Sequence, residues 1–200
     1  MSTRVNYGGI ISEILFSDFE IEHIQNTIKS MPEDGLMVQW GNRGEVCAWL
    51  DVLGEKQRLI SIESDEAWYG RVNRAIKNHF GDVSSKYLPL HIPTRYIEHT
   101  YGSPMEEHPI GTDDYIFPTN KDIFNADVYL IDGLARATCA LTVLLKHKKK
   151  NPVIFIHDYV GREAWYSWAT QFFYVDIIGD VTKTERESRS ALVRLHIKEN

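Results

Sequence analysis

Cysteine, long apolar runs and excess positive charge are all scarce in this chain of 200 residues, and each shortage excludes a class of protein. Two cysteines, Cys47 and Cys139, are too few for a disulfide scaffold, and their apolar helical surroundings predict reduced thiols in the core. No apolar stretch approaches the ~18 residues that a membrane span requires. The first nine residues hold one arginine and no apolar segment, unlike a secretory signal. These features predict a cytoplasmic protein with no membrane partner.

The charge balance narrows the choice of partners further. The chain has 22 Lys and Arg against 28 Asp and Glu, a formal net charge of −6, which disfavours nucleic acid as a partner because binding it relies on counterion release. The basic run Lys146–Lys150 closes a predicted helix and is typical of a solvated face. Hydrophobic residues make up 43% of the chain, which is ample for a core. We therefore expect a single folded domain over residues 1–200.

Short apolar runs alternate with helical stretches along the chain. The runs predict strands at Leu36–Trp40, Leu59–Ile62, Lys86–Ile92, Ala126–Gly133, Pro152–Asp158, Phe173–Ile178 and Ala191–Ile197. Helical spacing predicts helices at Ser17–Lys29, Glu45–Leu53, Asp65–Phe80, Ala135–His147 and Gly161–Phe172. This rhythm favours an α/β fold with a mostly parallel sheet. The last strand alternates apolar and polar residues, as a half-exposed antiparallel edge strand does.

Two segments stand outside this rhythm. Residues 1–31 predict an N-terminal helical extension that ends before Pro32, because the residue before a proline avoids the α region. Residues 93–125 predict an irregular insertion or lid, since they show little periodicity and exceed a usual connection in length. This insertion holds four prolines: Pro93, Pro104, Pro109 and Pro118.

Polar residues collect where four of the predicted strands end. The four clusters are Gly41–Gly44, Glu63–Asp65, Asp132–Gly133 and His157–Tyr159. In open parallel sheets, ligands bind outside the carboxyl ends of the strands, near the point where the strand order reverses. We therefore expect the four clusters to meet at one edge of the sheet.

The first two clusters together indicate a ligand that contains a nucleoside. Gly41 and Gly44 place a glycine-rich turn between a strand and a helix, although the dinucleotide fingerprint and the phosphate-binding loop are both absent. Glu63 follows Gly44 by 63 − 44 = 19 residues, close to the roughly 20 of a ribose-binding acid. The plainer interpretation is a tight turn followed by a solvated acid, with Asp65 as a helix cap.

Three of these segments resemble a known superfamily, the class I S-adenosylmethionine-dependent methyltransferases. Leu36–Val46, LMVQWGNRGEV, is similar to the first motif of that superfamily. Ile60–Asp65, ISIESD, resembles its acidic loop, and Val128–Gly133, VYLIDG, its strand-four motif. The resemblance runs in order through most of the chain, from about Met31 to Ile197.

The C-terminal half resembles a small, poorly characterised bacterial branch of methyltransferase-like proteins. The matching stretches are Asp132–Arg136, Cys139–Ala140, His157–Tyr159 and Arg162. The resemblance implies a Rossmann-like methyltransferase sandwich of seven strands in the order 3-2-1-4-5-7-6, with strand 7 antiparallel. It also implies S-adenosylmethionine as the cofactor. Gly41, Asn42 and Gly44 would line its methionine and ribose end, Glu63 would bind the ribose hydroxyls, and Ser64 would lie near the adenine.

The chain departs from the family pattern within the first motif. Gln39 stands where the family usually has an acid, two residues before the first glycine, and Arg43–Val46 replaces a Gly-Gly-Ser-Thr stretch. An acid at Glu45 could repel a carboxylate ligand, whereas Arg43 could attract it. Two functions therefore stay open: a methyltransferase, or a catalytically degenerate binding or assembly protein that keeps the fold. A nicotinamide-dependent oxidoreductase is disfavoured because its glycine fingerprint is missing.

The later clusters supply the candidate catalytic residues. Asp132 would face the transferred methyl or hold the acceptor, pairing with Arg136, or else would cap the next helix. His157 would remove a proton as a general base, with Asp158 and Arg162 in support. Asp132, His157 and Asp158 could also hold a divalent cation, but we expect no metal. The plainer interpretation packs His157 at a strand end and makes Asp158 a helix cap.

The acids of the proposed cleft favour a cationic sulfonium and a small or medium-sized acceptor over a polyanionic one. The acids in question are Glu45, Glu63, Asp132 and Asp158. Aromatic residues crowd the last helix and the strand that follows it, at Trp165, Tyr166, Trp168, Phe172, Phe173 and Tyr174. We expect most of them in the core, and some of them in a homo-oligomer interface.

Overall fold

The computed structural model describes residues 16–94, 113–179 and 191–198, together with the backbone of two short strands, β1 (Asn6–Tyr7) and β2 (Ile10–Ile11), which pair antiparallel. The helices are α1 (Asp18–Lys29), α2 (Glu45–Leu50), α3 (Glu66–Phe80), α4 (Asp113–Ile116), α5 (Arg136–Lys146) and α6 (Glu163–Thr170), with a 3₁₀ helix at Lys121–Asn125. The remaining strands are β3 (Leu36–Trp40), β4 (Arg58–Glu63), β5 (Tyr87–His91), β6 (Val128–Ile131), β7 (Val153–Ile156), β8 (Phe173–Ile178) and β9 (Leu192–Ile197).

Seven strands form one sheet in the order β5-β4-β3-β6-β7-β9-β8. Six strands share one direction, and β9 runs antiparallel to both of its neighbours, β7 and β8. Counted from the first strand of this sheet, the order is 3-2-1-4-5-7-6 with strand 7 antiparallel, which confirms the predicted fold class. The central strand β3 is buried along its whole length, as expected when helices cover both faces of a parallel sheet.

The prediction that Ala191–Ile197 forms an edge strand is wrong. The strand is antiparallel, but it lies between β7 and β8, and β8 is the edge of the sheet. Its alternation has another cause, because an antiparallel strand inside a sheet also alternates when one of its faces is less well covered than the other. The residues towards its C-terminal end, Arg194, His196 and Ile197, are accordingly only half-buried.

Two apolar clusters fill the two faces of the sheet. On one face, α1 and α2 pack Ile24, Ile28 and Trp49 against strand residues such as Met37. On the other face, α5 and α6 pack against the sheet together with residues of the 3₁₀ helix. The thiols of Cys47 and Cys139 are free and buried, one in each cluster, which confirms the prediction of core thiols.

The two irregular segments are partly built into this core. In α1, Ser17 and Glu20 form a reciprocal capping box at the start of the helix, and Ile24 and Ile28 are completely buried. Of the predicted insertion, residues 95–112 lie outside the described part of the chain. Its described end contributes buried residues to the core, among them Tyr115 and Ile123. No helix in the described ranges is long and apolar enough to cross a membrane.

Candidate functional site

A cavity of about 410 Å³ lies at the carboxyl ends of the central strands β3, β4 and β6. Its lining includes Gly41, Arg43, Glu63, Ser64, Asp132 and Arg136. The volume is within the range of roughly 300–1,000 Å³ that is typical of small-molecule pockets. The strand order reverses at β3, since β4 and β5 lie on one side of it and β6 to β9 on the other. The cavity therefore occupies the switch point at which open α/β sheets bind ligands.

Gly41 sets the shape of the turn after β3. Its φ of +88° is a conformation that L side chains rarely adopt. A Cβ on Gly41 would lie 2.8 Å from the carbonyl oxygen of Asp132 and 2.9 Å from the backbone nitrogen of Gly133. The glycine thus allows the loops after β3 and β6 to touch, and this contact brings Asp132 beside the glycine turn.

Glu63 is held by the main chain of two strand ends. Its Oε2 accepts the Asn42 N–H at 2.7 Å, and its Oε1 accepts the N–H groups of Ser64 at 2.7 Å and Asp65 at 2.8 Å. Burial raises the pKa of Glu63, although these three N–H groups favour the charged form. A carboxylate offers about four acceptor positions, so Oε2 keeps capacity for one further donor.

The other two turn residues from the prediction do not line the cavity. The Asn42 side chain is completely buried and donates through Nδ2 to the Tyr87 hydroxyl at 3.2 Å, which leaves only its N–H near the site. Gly44 precedes α2 with ordinary helical angles and is buried. The structure therefore brings Gly41, Glu63 and Ser64 to the cavity, with Asn42 and Gly44 behind them.

Glu45, which we predicted as a cleft acid, lies in the interior behind the turn. Gln39 Nε2 donates to Glu45 Oε1 at 2.6 Å, and the Arg43 N–H donates to the same oxygen at 3.2 Å. Burial, followed by the negative charge of Asp132, raises the pKa of Glu45 to about 7. Gln39 stands where the family pattern has an acid at the end of the strand. Here the carboxylate beside that position is Glu45, from the helix that follows.

Asp132 and His157 belong to a compact network of four charged side chains. His157 Nδ1 lies 3.0 Å from Asp132 Oδ1. Arg136 donates through Nη1 to Asp158 Oδ2 at 3.1 Å and to the His157 carbonyl at 2.7 Å, and its Nη2 lies 3.6 Å from Asp132 Oδ1. Arg162 adds a longer contact, 3.9 Å from its Nη2 to Asp158 Oδ2.

His157 is placed to hold Asp132 rather than to meet a ligand. Its side chain is completely buried, and its ring stacks on that of Phe16 with 3.8 Å between centroids. Burial disfavours the imidazolium, but the charge and hydrogen bond of Asp132 outweigh it and raise the pKa of His157. Burial likewise opposes ionisation of Asp132, yet the His157 charge lowers the pKa of this acid. The two groups therefore form a buried ion pair.

Asp132 lies between this network and the cavity. Asp132 lines the cavity, whereas His157, Asp158 and Arg162 do not. Within the described part of the chain, its ion-pair contacts to His157 and Arg136 are both made by Oδ1.

No protein-family model and no curated protein sequence matches this chain. Solved structures do match in shape. A methyltransferase-like protein from Silicibacter pomeroyi aligns at 18% identity with a TM-score of 0.65, over 94% of this chain and 91% of that one. The O-methyltransferase from Bacillus cereus, in complex with S-adenosylhomocysteine (SAH), aligns at 10% identity with a TM-score of 0.64, over 92% and 82%. Precorrin-6y C5,15-methyltransferase from Geobacter metallireducens aligns at 11% identity with a TM-score of 0.58, over 93% and 92%.

The chain has the class I methyltransferase fold. Identities this low establish the fold and leave the activity to the site itself. In this fold the cavity lies between the glycine turn after β3 and the acidic end of β6. Of the four acids expected in the cleft, Glu63 and Asp132 line the cavity, whereas Glu45 and Asp158 do not.

The cap alternatives for the two aspartates are excluded by the structure. α5 has Ala135 at its N-cap and α6 has Arg162, and neither helix has a side-chain cap. Asp158 instead adopts a left-handed φ of +55°, which is uncommon for a residue other than glycine. This conformation lets the Asp158 carboxylate reach Arg136.

The guanidinium of Arg136 already contacts the residues that could hold a metal ion. One ligand atom each from Asp132, His157 and Asp158 lies within 4.8 Å of the others. Arg136 contacts both carboxylates of this group, at 3.6 Å and 3.1 Å. Because the guanidinium already supplies positive charge there, we assign no metal to the cluster.

Several cavity residues were not assigned to the site from the sequence, among them Arg136, Trp68 and Tyr115. Arg136 was considered only as a partner of Asp132, yet it joins both aspartates. Trp68 lines the cavity and carries the guanidiniums of Arg43 and Arg71 over its ring, at 5.4 Å and 4.6 Å. Tyr115, from the predicted insertion, lines the cavity and accepts the Leu134 N–H at 3.3 Å. The i, i+4 spacing of Asp132 and Arg136 was the one available signal.

Proposed function

We propose that the protein is an S-adenosylmethionine-dependent methyltransferase that acts on a small or medium-sized acceptor. The observation that carries this proposal is the cavity at the switch point, where Gly41, Glu63 and Asp132 meet. The class I fold supports it, because the cavity lies where ligands bind in open α/β sheets. S-adenosylmethionine, when bound, would supply a methyl group on a positively charged sulfur.

The cavity residues fit such a cofactor. Glu63 Oε2 has room for one ribose hydroxyl, and Ser64 lies beside it at the position we assign to the adenine. Gly41 exposes its backbone at the methionine end, and Asn42 and Gly44 support the turn from behind. Arg43 lines the cavity and offers positive charge to a carboxylate ligand.

Asp132 is our candidate for the residue that contacts the acceptor. Its lowered pKa makes it a weak base, so it is suited to orient an N–H or O–H nucleophile by hydrogen bonding. His157 and Arg136 would act as positioning residues that fix the carboxylate through Oδ1. Asp158 and Arg162 would support them from the outer side of the network.

The acceptor would enter beside the predicted insertion. Thr94 and Tyr115, which flank residues 95–112 on either side, both line the cavity. We propose that residues 93–125 shape the acceptor pocket within one domain spanning residues 1–200. The buried free thiols fit a reducing compartment, in line with the predicted cytoplasmic location.

Isothermal titration with S-adenosylmethionine and SAH tests the cofactor assignment. We expect saturable binding of both ligands, and a loss of at least about tenfold in affinity for Glu63→Gln, because one charge-assisted hydrogen bond is removed. Glu33→Gln, an exposed acid remote from the cavity, is the matched control and should bind as the unmodified chain does. A folded sample that gives no heat and no thermal shift at millimolar ligand overturns the proposal. NAD in the same titration tests the oxidoreductase alternative.

A second candidate is a binding or assembly protein that keeps the fold without the chemistry. The surroundings of Glu63 favour this candidate, because three main-chain N–H groups already donate to its carboxylate and leave little acceptor capacity for a ligand. The edge strand β8 also has exposed aromatic residues on it and beside it, at Trp168, Phe172 and Tyr174. This candidate predicts no cofactor binding and a stable homo-oligomer by sedimentation.

A further inference from the structure

Glu45 lies directly behind the cavity wall. It is the first residue of α2 and is 2% exposed. Its Oε1 accepts hydrogen bonds from Gln39 Nε2 and from the Arg43 N–H. Arg43 lines the cavity, as does Asp132, whose charge acts on Glu45. Glu45 is therefore hydrogen-bonded to one residue of the cavity lining and acted on by the charge of another.

Within the described ranges, Arg43 is the one positively charged group whose charge lowers the pKa of this acid. In the described ranges of the chain, no lysine, arginine or histidine forms an ion pair with Glu45. His157 and Arg136 are engaged with the two aspartates of the network. Gln39 is a neutral partner, and its Oε1 is a buried acceptor without a hydrogen bond among the described residues.

We propose that Glu45 is the counter-charge for a cationic ligand in the cavity, and that it makes the site prefer S-adenosylmethionine over its demethylated product. The inference rests on the proposed function. The two ligands share their amino-acid and nucleoside groups and differ at sulfur, which is positively charged in the cofactor and neutral in the product. A carboxylate buried beside the cavity would distinguish them by charge, because Coulomb energies are larger away from water.

Ionisation of Glu45 links this preference to pH. With its pKa near 7, Glu45 is largely neutral at pH 6 and largely charged at pH 8. The charged form binds a cation better, so affinity for the cofactor rises with pH and binding releases a proton. The groups that act on Glu45 are Asp132 from the loop after β6, Arg43 from the turn, and the neighbouring Cys47 in α2. His157 acts only through Asp132.

Isothermal titration at pH 6 and pH 8 tests the proposal. For the unmodified chain we expect affinity for S-adenosylmethionine to rise about fivefold between these values, because bound positive charge that lowers a pKa of about 7 by one unit has this effect over pH 6 to 8. Affinity for SAH should change less than about twofold, because its sulfur carries no charge. Titration at pH 7 in buffers of different ionisation enthalpy should detect proton release with S-adenosylmethionine and little with its product.

Two variants isolate Glu45 from His157. Glu45→Gln keeps the shape and removes the ionisation, so the rise in cofactor affinity should disappear. Asp51→Asn changes an exposed acid at the end of the same helix and should keep the rise. Circular dichroism checks that each variant folds. If Glu45→Gln fails to fold, the comparison of the two ligands on the unmodified chain still decides.

Three results would overturn the inference. If the affinities for the two ligands depend equally on pH, Glu45 does not respond to the charge on the sulfur. A rise in cofactor affinity that persists unchanged in folded Glu45→Gln would assign the titration to another group. Absence of binding by either ligand at both pH values would remove the proposed function together with the inference, which distinguishes that failure from the other two.

Discussion

The two sides of the cavity stabilise their acids in different ways. On the glycine-turn side, which comprises Gly41–Glu45 and Glu63, the carboxylates are bonded mainly by main-chain N–H groups and one amide. On the histidine side, which comprises Asp132, Arg136, His157 and Asp158, each carboxylate contacts a cationic side chain. N–H groups stabilise charge without cancelling it, whereas ion pairs cancel it.

This difference separates two tasks. The histidine side is balanced internally, with two acids against one arginine and one imidazolium, so it can hold Asp132 still without a ligand. On the glycine-turn side the charge of Arg43 acts on Glu45, but the described contacts of both carboxylates are hydrogen bonds from main-chain N–H groups and one amide. A cationic ligand would therefore gain most from the glycine-turn side, and the acceptor would be oriented by the histidine side.

Breaking the histidine side should have the largest effect. Arg136→Met keeps much of the side-chain volume but leaves the buried carboxylate of Asp132 and the half-buried one of Asp158 without the guanidinium, so we expect a loss of about 3–5 kcal/mol in the free energy of unfolding. Urea denaturation measures it. Arg162→Met is the matched control, since its contact to Asp158 is longer, at 3.9 Å, and its side chain is 24% exposed. A loss below 1 kcal/mol for Arg136→Met would show that the network is not balanced by this residue.

Stability against pH should expose the uncompensated acid on the glycine-turn side. Glu45 has a pKa of 4.5 in the unfolded chain and about 7 in the fold, so the folded state binds more protons between these values. Stability must therefore fall as pH rises through this window, by about 3 kcal/mol relative to Glu45→Gln. Urea titrations of both proteins at pH 5 and pH 8 measure this difference, and the contribution of His157 cancels between them. If the difference in unfolding free energy between the two proteins does not change with pH, Glu45 does not lack a counter-charge.

A substitution that pushes the two sides apart where they touch should have a smaller effect on the free energy of unfolding. Gly41→Ala places a methyl group 2.8 Å from the Asp132 carbonyl at a φ of +88°, so we expect a loss of about 2 kcal/mol in the free energy of unfolding. Weaker binding of S-adenosylmethionine should accompany it. Gly54→Ala is the matched control, because its added methyl would meet only the Gln57 side chain at 3.4 Å. Equal thermal shifts for both variants would show that the contact tolerates separation.

Much of the fold was predictable because strand signals are local. Val128–Ile131 is a continuous apolar run, and Leu36–Trp40 is apolar except for Gln39; such runs indicate strands that are buried on both faces. The position of Ala191–Ile197 in the sheet was not predictable from its own alternation, since that pattern reports face coverage and not the neighbouring strands.

The candidate site was predictable in its residues and less so in their roles. Glu63 and Asp132 follow strands that pair with β3, so their meeting at one edge follows from strand order. The prediction of His157 as a general base is untested, but the structure places its ring beneath Phe16, a contact between distant segments of the chain. The burial of Glu45 likewise depends on how α2 packs.

The sequence by itself determined the strands, the glycine turn and the acids at the strand ends, because periodicity and chain order act over a few residues. Only the tertiary structure decided which acids carry a counter-charge. That outcome depends on distances between β6, α5 and β7 and on exclusion of water by packed helices. Arg136 and His157 reach Asp132 across those elements, and nothing comparable reaches Glu45 within the described chain. The same type of side chain therefore has a lowered pKa at Asp132 and a raised one at Glu45.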